Sequence, residues 1–113
     1  MVTTKNEYIT YQRTLGMSVM AGKGFYYPND TAFSKNGKTY VLNRSLEIRA
    51  SGRGMRVNRC DVNDEYYGSF GKFEDEPGQL MWPSAICIIH TGRVFLSTDH
   101  LNKITIFSEE GYF

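Results

Sequence analysis

Apolar and polar residues alternate in short runs along this chain, and no stretch sustains apolar positions at i, i+3, i+4 and i+7 long enough for a helix. The runs are YITYQRTL (8–15), DTAFSK (30–35), KTYVLN (38–43), MRVNRCDV (55–62), EYYGSFG (65–71), SAICIIH (84–90), RVFLST (93–98) and KITIFS (103–108). A period of two sends successive side chains to opposite faces, so each run is predicted to be a β-strand. Asn36-Gly37, Asn63-Asp64 and Thr91-Gly92 separate consecutive runs, and Glu109-Glu110-Gly111 follows the last one. Asparagine and glycine tolerate the positive φ that tight hairpin turns demand. Eight Tyr, seven Phe and eleven Gly strengthen the all-β reading.

The pattern repeats. Pro28 corresponds to Pro83, Gly37 to Gly92, Tyr40 to Phe95 and Val41 to Leu96, each pair 55 residues apart, whereas Val57 corresponds to Ile104 at a distance of 47. The difference of eight residues is an insertion in the first copy, between Arg44 and Met55. A period of about 47 residues with four strands per unit is that of a β-propeller blade, not of a helical solenoid. AICII (85–89) is apolar on both faces of its strand, as expected of a blade sandwiched between neighbours. In KITIFS, Ile104 and Ile106 share one face while Thr105 and Phe107 share the other. A blade at the end of an incomplete ring is expected to leave one apolar face uncovered.

The second copy resembles the NHL repeats of six-bladed propellers over most of its length. The resemblance rests on Gly68, Phe70, Gly71, Gly78, Pro83, Gly92, Val94, Asp99, Asn102, Ile104, Phe107 and Gly111. It implies about two four-stranded blades plus one N-terminal strand, with residues 1–21 as that strand and a linker, 22–71 as the first blade, and 72–113 as a second blade with an incomplete outer strand. It further implies that the remaining blades follow in a longer chain, or that copies associate to complete a ring. Propellers of this kind host binders, lyases, lactonases and scaffolds, so the fold alone does not settle an activity.

Charge narrows the choice of partner. Thirteen basic against twelve acidic residues leave a net charge of +1, which argues against a general polyanion binder. The basic residues are nevertheless concentrated in RSLEIRASGRGMRVNR (44–59). The forked guanidinium donors of Arg44, Arg49, Arg53 and Arg56 suit carboxylate or phosphate, and Trp82 adds an aromatic contact near the same loop face. These five residues are the candidate partner-binding set. A protein or peptide is the expected partner and RNA the alternative, with a metal-dependent lyase or hydrolase completed by further blades as a third reading.

No catalytic constellation and no metal or cofactor motif is evident. His90 and His100 fall at opposite ends of the blade and read as surface residues, and Asp30, Asp99 and Asn102 read as turn and strand-end caps. Cys60 and Cys87 lack CxxC spacing, and Cys87 within AICII reads as a buried apolar side chain. The N-terminus lacks the layout of a signal peptide and no apolar run reaches membrane-spanning length, so a soluble cytoplasmic protein is expected.

Overall fold

The computed structural model of the chain describes residues 9–19, 21–45, 54–71, 83–98 and 102–112. The runs from Asp30 onward become strands: β1 (Pro28–Phe33), β2 (Thr39–Asn43), β3 (Arg56–Cys60), β4 (Tyr66–Phe70), β5 (Pro83–Ile88), β6 (Val94–Thr98) and β7 (Lys103–Phe107). Sequential neighbours pair antiparallel, giving a four-stranded sheet β1-β2-β3-β4 and a three-stranded sheet β5-β6-β7. There is no helix among the described residues, so the fold is all-β, and none of them forms a helix long and apolar enough to cross a membrane.

The internal repeat is reproduced in backbone detail. In the first sheet Thr31 pairs with Val41, and the register slips between Pro28 and Asp30; in the second, Ile86 pairs with Leu96 and the register slips between Pro83 and Ala85. Asn29 and Ser84 are therefore bulge residues at the same place in each inner strand. Proline opens both strands, where the missing N–H removes no ladder bond. The turns agree as well. Gly37 N donates to Ser34 O and Ser34 N to Lys38 O; Gly92 N donates to Ile89 O and Ile89 N to Arg93 O. Gly37 and Gly92 hold φ of 85° and 91°, a region that favours glycine.

The two sheets pack face to face. Ala32, Tyr40, Leu42 and Val57 from the first meet Ile86, Val94, Leu96 and Phe107 from the second, with Phe70 and Ile88 at the margin. The aromatic rings form a chain, Tyr40 to Phe70 at 6.3 Å and Phe70 to Phe107 at 4.9 Å between centroids. Polar ties fix the inner and outer borders of this interface. Asp30 Oδ2 accepts from Ile86 N at 2.8 Å and Asn29 Nδ2 donates to Ser84 O at 3.1 Å, so the inner strands lie side by side. Further out, the Tyr40 hydroxyl donates to Glu109 O at 2.7 Å, and burial together with the Glu109 charge pushes this phenol above its ordinary pKa.

One expected strand has no ladder among the described residues. The predicted strand at 8–15 is not formed over its described part: residues 9–15 belong to neither sheet, and Ile9 and Tyr11 stand 75% and 80% exposed. A strand is made by its partner, and no described sheet edge runs beside this segment. Side chains help hold it, Tyr11 Oη with Thr14 Oγ1 at 2.9 Å and Arg13 Nη1 donating to Val62 O at 2.8 Å. The following stretch folds back on itself instead, with Phe25 N donating to Met17 O and Val19 N to Phe25 O, and lies over the outward face of the first sheet.

Candidate functional site

β3 carries the sequence's most conspicuous polar residues, and alternation along the strand separates them. Arg56 and Asn58 point to the outward face of the first sheet, while Arg59 points toward the second sheet. Asn58 is buried; its amide donates to Gly24 O at 2.7 Å and Gly22 O at 3.1 Å, and its oxygen accepts from Asn43 Nδ2 at 3.0 Å. Asn43 is equally buried and also accepts from Tyr26 N at 2.9 Å. Arg56 is 6% exposed and donates to Gly54 O at 2.8 Å and Gly24 O at 3.0 Å. Burial lowers the pKa of its guanidinium. The network fastens residues 21–26 onto the sheet and gives the buried Gly24 carbonyl its donors.

The candidate partner-binding set is thereby divided. Arg56 serves the interior. Arg44, half-buried at the end of β2, donates to Pro83 O at 2.9 Å and links the two inner strands. Arg49, Arg53 and Trp82 lie outside the described residues, as do His100 and Asp99.

Other chemistry is sparse. Among the described residues no group of three or more His, Cys, Asp or Glu gathers as a metal site, and His90 is exposed just after β5 with no hydrogen bond to another described side chain. A cavity of about 80 Å³ lies between β3, β4 and residues 16–25, lined by Met17, Phe25, Asn58, Cys60 and Tyr66. Small-molecule pockets run to about 300 Å³ or more, so this space suits a few waters rather than a metabolite. Burial raises the Cys60 thiol pKa, with Asp61 and Asp64 adding to the effect, whereas Cys87 is exposed against the expectation that it would be buried. No described sheet lies over that side of β5. Iodoacetamide is accordingly expected to modify one thiol of the native chain rapidly, at Cys87, and Cys60 only in denaturant; peptide mass mapping reads the outcome, and rapid modification of Cys60 would contradict its burial.

The feature with most binding capacity is the uncovered face of the second sheet. Ala85, Cys87, Phe95, Ser97, Ile104 and Ile106 share it by the strand register, and Ile104 and Ile106 are 68% and 41% exposed. A shallow groove of about 230 Å³ runs between Ala85, Cys87, Phe95, Ser97 and Ile104. None of these six side chains carries a charge. Through the repeat they correspond to Asp30, Ala32, Tyr40, Leu42, Val57 and Arg59, the face on which the first sheet receives the second. The alternation in KITIFS already paired Ile104 with Ile106, but a strand pattern does not say which of two apolar faces is covered.

No protein-family model matches the chain, and no curated protein sequence matches it.

Proposed function

We propose that this chain is a non-catalytic recognition module, a segment of an NHL-type β-propeller, and that it binds a protein or peptide partner. The observation that carries the reading is the uncharged apolar face of the second sheet, open where its repeat counterpart in the first sheet is covered. Exposed apolar patches of this kind on folded chains mark interaction surfaces. A protein is favoured over RNA because Arg44 and Arg56 spend donors on carbonyls within the fold, and none of the six side chains sharing the open face is a cation.

The test is a random-peptide display library panned against the purified chain. Apolar peptides are expected, binding about tenfold or more weakly, roughly 1.4 kcal/mol, to a chain carrying Ile104→Lys and Ile106→Lys. Both residues are solvent-exposed, so thermal unfolding should change little. Selected peptides that bind the double variant as well as the parent would sink this surface assignment.

A further inference from the structure

We propose that Asn36 is a site of spontaneous covalent modification, an asparagine that its own hairpin converts to aspartate and isoaspartate. Asn36 and Gly37 stand in the turn joining β1 to β2, and both are exposed. The conversion needs an unhindered backbone nitrogen beside the amide and a donor for the charge that develops on the amide oxygen. The turn supplies both. Gly37 has open space around it, with no atom within 4 Å of where a Cβ would stand. Its N–H donates to Ser34 O at 3.2 Å, the long end of the usual range, so the nitrogen is lightly held. The Ser34 hydroxyl donates to Asn36 Oδ1, the oxygen on which negative charge collects during attack. Lys38 N donates to Ser34 Oγ at 3.2 Å and helps to fix the hydroxyl in place.

The steps need only water. Gly37 N gives up its proton and bonds to Asn36 Cγ; the Cγ–Nδ2 bond breaks, and ammonia leaves with that proton as a cyclic succinimide closes. Water then opens the ring. Breaking the new bond to Cγ leaves aspartate in an ordinary main chain. Breaking the original peptide bond leaves isoaspartate, with one extra main-chain carbon in the turn. The second hairpin lacks this chemistry: Thr91 and Ile89 replace Asn36 and Ser34, Gly92 N is held at 2.8 Å by Ile89 O, and the Glu109 side chain lies against Gly92. Elsewhere Asn43 and Asn58 are buried, and Asn29, Asn63 and Asn102 precede aspartate or lysine rather than glycine. Isoaspartate lengthens the connection that brings Phe33 opposite Thr39, so modified molecules are expected to melt at a lower temperature.

The test is to hold the purified whole chain in warm, mildly alkaline buffer and follow the amide-to-acid mass gain by peptide mapping, with electron-transfer fragmentation separating the two products. Asn36 is expected to convert first among the described asparagines, with isoaspartate the major product. Asn36→Thr, which copies the second hairpin, should abolish the change at this position and leave thermal unfolding as it was. Ser34→Ala should slow conversion about fivefold, the kinetic equivalent of one hydrogen bond, and Ser34→Thr, which keeps the hydroxyl, should restore the rate. An Asn36 that outlasts the exposed Asn63 or Asn102 would overturn the proposal. Faster conversion in the Ser34→Ala chain at unchanged melting would also overturn it, since the hairpin would then restrain the reaction rather than assist it.

Discussion

Leu96→Ala is expected to destabilise the fold by about 3 kcal/mol, the usual cost of emptying a fully buried leucine site in a core that relaxes only partly. Leu96 has no exposed surface; it faces Ile86 on one side and Thr105 on the other, and its side chain fills the interface between the sheets. The informative control is one residue away. Phe95 is the larger side chain but points to the open face, so Phe95→Ala should cost about 1 kcal/mol or less despite removing more atoms. Urea unfolding of the two variants decides the matter. A larger loss at Phe95 than at Leu96 would mean that the second sheet is turned with its other face to the first, and the proposed binding face would fall with it.

Asn58→Leu is the second large effect, expected at about 2 kcal/mol although it puts an apolar residue of similar size into a buried site. The leucine supplies no donor to Gly24 O and Gly22 O and no acceptor to Asn43 Nδ2, and at Gly24 and Asn43 burial keeps water from replacing it. The loss is local in character: residues 21–26 should loosen before the sheets part. Limited trypsin digestion reads this directly at Lys23, which is exposed and paired with Asp64 at 3.1 Å in the same stretch. Faster cleavage there at unchanged global unfolding would show the segment opening separately, whereas unaltered cleavage would show that Asn58 does not hold it.

Much of the architecture is legible in the chain, for an identifiable reason. Asn36-Gly37 and Thr91-Gly92 mark turns by local backbone chemistry, and the apolar alternation in TYVLN and VFLST states which side chains share a face. The repeat then brings the second unit into line with the first, down to the bulges at Asn29 and Ser84. What lies over a face is a different kind of information. YITYQRTL alternates as well as any strand here, yet a ladder also needs a neighbouring edge, and its own residues do not provide one. Arg56 reads as a partner contact because charge usually seeks water; instead a distant backbone segment supplies carbonyls to it and to Asn58. Cys87 looks interior because its neighbours are apolar, and it is exposed because no described sheet lies over that side of β5.

The position of Cys87 has a practical consequence. It lines the open groove while the other cysteine is shielded beneath residues 16–25. The protein therefore carries its own occupancy gauge. Anything that seats in the groove will slow the reaction of this one thiol, whether or not its identity is known, and the shielded thiol serves as an internal reference for intact folding. Comparing the modification half-life of the purified chain with that in a cell extract would measure what fraction of molecules is engaged, before any binding partner has been isolated.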